Sequence, residues 1–297
     1  MEPGIFSNRS FSSKAVVFVL LIVAGFCLAT LIVKIILLAS NTETGQMTEL
    51  SGQTLRVVQT LQSIFVFIIP ALLFAWICCT RPIEYLYFEK KNKAFVIIFV
   101  AAACIVVIPF INWLAHVNEQ MSFPDALSGV EHQMQKSETA NRVAMNNMLR
   151  TDSPGILLYN IFLIGVLAAV GEELLFRGVI QRLIADASKN IHLGIWVSAF
   201  VFSAIHFQFY GFVPRLFLGA WFGYLLYWSK SLWIPILAHF VNNTIAVVIS
   251  YLQQRKIVDP LADTIGKENM ALSGISVIVF GFFAWMIYRS TKQPNLS

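Results

Sequence analysis

The chain has 297 residues, of which 57% are hydrophobic and only 12% charged, with a net charge of +5 and a mean hydropathy of +0.71. Soluble domains run near about 45–50% apolar and about 25% charged, so this composition excludes an ordinary soluble enzyme and describes a polytopic membrane protein. The modest positive charge forms no basic arm, which argues against a nucleic-acid surface, and Cys27, Cys78, Cys79 and Cys104 all sit in apolar runs without metal-ligand spacing, which argues against a disulfide framework or a zinc knuckle.

Apolar stretches near 15–39, 61–80, 94–115, 156–184, 193–210, 212–229, 231–251 and 270–288 each approach the length that a helix needs to cross a bilayer. The fold expected is all-α, a polytopic transmembrane helical bundle of about eight spans. Arg9 and Lys14 precede the first stretch, which is longer than a signal-peptide core and reads as a retained span. Adjacent Cys78 and Cys79 close the second and read as apolar filler rather than a lipid-attachment pair.

Between the third and fourth spans, the polar segment from Val117 to Pro154 reads as a long loop. It divides the chain into an N-terminal three-span unit with its loop (1–153), a four-span catalytic core (154–251), and a C-terminal loop with the last span (252–297). The fourth span is long enough to tilt or project. The turns at Gly211–Arg215 and Ser229–Ser231 are so short that the fifth to seventh spans must pack as antiparallel neighbours. Gly219 and Gly223, four apart in the sixth span, predict close helix packing.

With the N-terminus in the cytoplasm, 11 Lys and Arg residues fall inside (Arg9, Lys14, Arg81, Lys90, Lys91, Lys93, Arg182, Lys189, Lys230, Arg289 and Lys292) against 8 outside, three of these in the long loop where the rule is weak. This predicts a multi-pass protein of the cell membrane with both termini cytoplasmic.

Charge recurs where it is costly, in Gly171-Glu172-Glu173-Leu174-Leu175-Phe176-Arg177-Gly178 at the end of an apolar run. A charge at mid-helix costs about 2.5–3.5 kcal/mol for insertion, while each large apolar residue returns only about 0.3–0.6. Glu173 and Arg177 share a helix face, so Arg177 can neutralise Glu173, whereas Glu172 is turned about 100° away and falls in the inner half of the bilayer. A bland reading makes all three helix-end charges that snorkel to the interface. His206 and His239 lie in later spans and shift the balance. Each alone reads as a histidine bonded to a neighbouring helix; with the glutamates they point to chemistry. His239 and Asn243 share a face, and Asn242 points elsewhere.

Peptide hydrolysis needs an activated water, a proton acceptor and oxyanion donors. Glu172 with His206 can supply the first two, and His239 with Asn243 the third. Ser203, on the same helix as His206, reads as a backbone-bonded hydroxyl rather than a dyad nucleophile. No Gly-x-Ser-x-Gly, Gly-x-Gly-Asp or His-Glu-x-x-His is present.

Glu172-Glu173-x-x-x-Arg177, Phe202-x-x-x-His206 and His239-x-x-x-Asn243 resemble, in that order, the motifs of the type II CAAX prenyl endopeptidase and bacterial Abi family, the CPBP intramembrane proteases. The resemblance implies an intramembrane cavity open to the cytoplasm, in which Glu172 and His206 activate water and His239 and Asn243 bind the oxyanion, with Glu173 and Arg177 in support. Residues 1–153 and 252–297 carry no motif of the family. Zinc is the ion to consider if a metal is bound, and Glu172, His206 and His239 would be its ligands. The missing His-Glu-x-x-His helix and the poor ligand Asn243 favour metal-independent chemistry with no cofactor.

The function expected is an endopeptidase cutting a peptide or protein tail, lipid-modified or not, near the cytoplasmic face among membrane lipids. A non-proteolytic scaffold or bacteriocin self-immunity protein of the same fold is the first alternative. A proton-coupled transporter is the second, lowered by the absence of a detectable inverted repeat.

Overall fold

A computed structural model describes residues 4–39, 49–90, 92–122, 124–151, 153–259 and 264–291, and Lys91 and Lys292, counted above for orientation, lie outside the described residues. Every regular element among the described residues is helical. The first, α1 (Phe11–Ala39), is apolar on all sides and leaves Leu20, Phe26 and Leu31 exposed, as suits a helix that faces lipid. Helix α2 (Gly52–Cys78) starts where the Ser51 hydroxyl accepts from the Thr54 N–H, passes through a π-helical turn at Ser63–Ile68, and ends on extended backbone at Cys79.

Helices α3 (Ala94–Val106) and α4 (Ile108–Glu119) make one apolar segment bent by 41°. Pro109 lies in the first turn after the break, where its missing N–H and its ring cannot extend the preceding helix. The expected polar loop then folds instead as α5 (Ser128–Leu149), a 22-residue helix. The sequence SGVEHQMQKSETANRVAMNNML contains no Pro, holds its one Gly at the start and is rich in Glu, Gln, Met and Ala, so helix propensity is high even without a continuous apolar face.

Helix α6 (Pro154–Ser188) is capped by the Ser153 hydroxyl and begins on a proline, both favourable start signals. Its 35 residues extend about 52 Å if straight, and it carries π-helical turns at Ile161–Ala168 and Leu174–Ile180 on either side of the two glutamates. After Lys189 in the left-handed region, the Asn190 side chain caps α7 (Ile191–Ala204). Helices α8 (Phe212–Ser229), α9 (Trp233–Gln254) and α10 (Met270–Thr291) follow.

The count of about eight spans is approximate. Among the described residues six helices are long and apolar enough to cross a membrane, or seven with the bent α3–α4 pair, while α7 has 14 residues and reaches only about 21 Å. Helices α7 and α8 form a tight hairpin. A Cβ on Gly219 would approach Ala199 Cβ to 3.0 Å, and one on Gly223 would approach Ile195 Cγ2 to 2.8 Å, so both positions need glycine for the observed approach.

The bundle has two distinguishable ends. At one, the Gly4 N–H donates to Trp76 O, Leu232 N–H to Tyr87 O and the Ser231 hydroxyl to Lys90 O, while Arg182 stacks on Tyr85 and Tyr87. At the other, Arg56 donates to Met148 O, Arg150 O and Asn160, Thr151 N–H donates to Gln254, Asn112 donates to Ile265 O, and Lys267 pairs with Glu119. The N-terminus and the end of α10 belong to the first, and α5 to the second.

Candidate active site

The two glutamates lie on α6 between its π-helical turns and face different surroundings. Glu173 is fully buried and its Oε1 accepts from Arg177 Nη1 at 2.7 Å and from His239 Nδ1 at 2.8 Å. Arg177, 1% exposed, uses its other terminal nitrogen on Gly219 O at 2.9 Å and lies against the Phe202 and Phe222 rings. A buried cation is tolerable only when paired and hydrogen-bonded in this way. The four-residue spacing on α6 produced the Glu173–Arg177 pair; the third partner comes from α9.

Glu172 turns the other way, into a cavity of about 480 Å³. His239 Nε2 lies 3.8 Å from Glu172 Oε2, so this imidazole stands between the two carboxylates, stacked on Phe222 with centroids 5.1 Å apart. Since Nδ1–H is given to Glu173, the nitrogen aimed at Glu172 is fixed by that bond.

His206 stands just beyond the end of α7 and lines the same cavity. Its Nδ1–H donates to Phe202 O at 2.7 Å, which leaves Nε2 free to act as an acceptor. Asn243 lines the cavity too, donating one amide hydrogen to Ile164 O at 2.9 Å and keeping the second. The structure therefore brings Glu172, His206, His239 and Asn243 to one cavity, while Glu173 and Arg177 lie behind it. Asn242, expected to point elsewhere, is corrected: it lines the cavity beside Asn243, within 3.4 Å of whose Oδ1 its own amide lies. Gln208 and Arg215 are further polar lining groups that the motifs do not contain.

Ser203 donates to Phe212 O at 2.7 Å, a bond across the hairpin turn rather than to His206. All four cysteines are unpaired. Among the described residues no group of three or more His, Cys, Asp and Glu side chains is gathered so as to hold a metal ion. In this geometry Glu172, His206 and His239 are not gathered into a three-ligand shell.

The cavity is also lined by Leu55, Gln59 and Gln62 of the first half of α2 and by Asn141, Met145 and Met148 of α5. These belong to the end that carries α5, away from the termini.

Residues 154–245 match the family described as type II CAAX prenyl endopeptidase Rce1-like. Over 90 residues the chain is 29% identical to the uncharacterized protein YpbD of Bacillus subtilis, covering 29% of this chain and 43% of that protein. It is 25% identical over 96 residues to YdiL of the same organism, named as a candidate membrane peptidase, covering 30% of this chain and 39% of YdiL. The alignments thus span less than half the length of these curated relatives. No solved structure matches the chain. The family recognised from the three motifs of residues 172–243 is the one that this comparison returns.

Proposed function

We propose that this chain, similar over residues 154–245 to type II CAAX prenyl endopeptidases of the Rce1-like kind, is an intramembrane endopeptidase that hydrolyses a peptide bond of a polypeptide entering from the membrane face that carries α5. One observation carries the reading: residues from α6, α9 and the end of α7, far apart in sequence, line one cavity with the donors and acceptors that peptide hydrolysis needs.

Glu172 is the general base. A water held between its carboxylate and His206 Nε2 loses a proton to Glu172 as its oxygen attacks the carbonyl carbon. His239 donates from Nε2 to the resulting oxyanion while Nδ1–H stays on Glu173. That requires the imidazolium form, and the carboxylates of Glu173 and Glu172 on its two sides supply the compensating charge. The second amide hydrogen of Asn243 completes the oxyanion site. Collapse breaks the C–N bond, and the proton on Glu172 passes to the leaving amine.

No residue in this sequence of steps requires a metal. The test compares membrane and secreted peptides from cells carrying the wild type and Glu172→Ala, repeated with a chelator, with His206→Ala in parallel. Both variants should accumulate at normal level and lose the cleavage products, and the chelator should leave wild-type products unchanged. Full product formation by either variant would refute the assignment. Complementation of a deletion phenotype by Glu172→Ala would leave the scaffold reading standing instead.

A further inference from the structure

Two arginines lie inside the bundle near the site, and their surroundings differ. Arg177 has its terminal nitrogens on a carboxylate and a carbonyl. Arg215, in the first turn of α8, lines the cavity with Glu172, His206 and Asn243. Its Nη2 donates to Gln208 Oε1, but Nη1 is buried without a hydrogen-bond partner. Glu138 and Glu172 are near enough to act on its charge, yet neither forms an ion pair with it.

The backbone also makes room for this side chain. A Cβ on Gly211 would overlap the Arg215 guanidinium. The N-terminal end of an 18-residue helix adds the positive end of the helix dipole at the same place. A buried guanidinium nitrogen without a hydrogen-bond partner is destabilising unless a water, an ion or a ligand completes it. A guanidinium with open donor positions suits a carboxylate.

We propose that Arg215 is an anion subsite of this cavity, holding a carboxylate of the bound polypeptide, either an acidic side chain or the chain terminus, and so fixing which bond meets Glu172. The proposal rests on the peptidase reading of the cavity and extends it to substrate choice. Arg215 is in this account a specificity residue, acting on binding and register rather than on the attacking water.

The test uses the full chain in detergent and three libraries of acetylated heptapeptides randomised over apolar residues: one with a free C-terminal carboxylate and no acidic residue, one amidated with no acidic residue, and one amidated with a single Asp at varied positions. Equilibrium retention is measured on Glu172→Ala, which should bind without cutting. At least one carboxylate-bearing library should bind about 10- to 100-fold more tightly than the neutral one, the range of a charge-assisted hydrogen bond to a buried group. Preference for the first library alone assigns the chain terminus, and for the third alone an acidic side chain.

Arg215→Gln and Gly211→Ala, added to Glu172→Ala, should bring that ratio near one, and Arg215→Lys should keep part of it. Thermal unfolding within a few degrees of the parent checks that each variant is folded, and Gly211→Ala keeps the arginine while displacing it. Equal retention of the three libraries, absence of retention of all three, or a ratio unchanged in Arg215→Gln overturns the proposal. Incubating the libraries with the wild type separates the two readings: cleavage without a carboxylate preference sinks the anion subsite alone, whereas the preference without cleavage sinks the peptidase reading alone.

Discussion

Glu173 shows how one carboxylate oxygen can serve two roles, since its Oε1 receives both Arg177 and His239. Replacing it with Gln keeps the shape but leaves Arg177 as an uncompensated buried cation, a change that costs about 3–5 kcal/mol. Glu173→Gln should therefore melt well below the wild type in detergent. Adding Arg177→Met should recover much of that loss without recovering cleavage, because His239 still lacks its anionic partner. If the double variant regains activity, the tie between Glu173 and His239 has no catalytic value. Asn243→Ala should retain the fold and lose about 10²–10³ in kcat if it is an oxyanion donor. The four-residue spacing made the Glu173–Arg177 pair legible in the sequence, as it did the shared face of His239 and Asn243. The bond from Glu173 to His239 was not, because it spans 66 residues and depends on how α6 meets α9. A step of about 100° per residue predicts Asn242 off the shared face of His239 and Asn243, yet the cavity reaches two successive side chains.

At the level of elements, the apolar runs located the membrane helices but did not measure them. The fifth run extended to residue 210 because Phe207, Phe209 and Tyr210 are apolar, although the helix ends at Ala204 and Phe207 takes a positive φ of 50°. Helix α5 is hidden for the opposite reason: its apolar residues form nothing longer than Val143-Ala144-Met145, and an apolar-run criterion does not register helix propensity. The hairpin of α7 and α8 depends on the two glycines. Gly223→Leu would press against Ile195 and Gln181, and Gly219→Leu against Ala199, with overpacking typically costing about 1–3 kcal/mol. Each should lower the melting temperature and reduce cleavage, since the hairpin carries His206 and Arg215, and Gly219→Ala should be milder than Gly219→Leu. Equal melting of all three would show that the hairpin packs loosely enough to accept a side chain.

At the scale of the molecule, α5 and the first half of α2 line the cavity from the end of the bundle away from the chain termini. Positively charged residues concentrate at the terminal end, so the orientation rule predicts a cytoplasmic terminal end with α5 on the other face. In a background without native cysteines, Lys136→Cys on α5 should react with an impermeant maleimide added to intact cells, and Glu89→Cys only after permeabilisation. The reverse pattern would place α5 in the cytoplasm and the termini outside. The bundle of apolar helices was legible from composition; the packing of α2 against α5 beside the motif residues was not, because it joins segments 92 residues apart, as the Arg56–Met148 bond shows. The α7–α8 hairpin carries a separate consequence for how the protein is made. It enters and leaves by the same end, so it adds no net crossing, and counting it as two spans or none leaves both termini on one face. During synthesis, the helices up to Ser188 can already hold their final orientation while Glu172 faces an incomplete wall. Catalytic competence would then be gained late, when the hairpin and α9 dock, so a nascent chain would be topologically mature before it could cut anything.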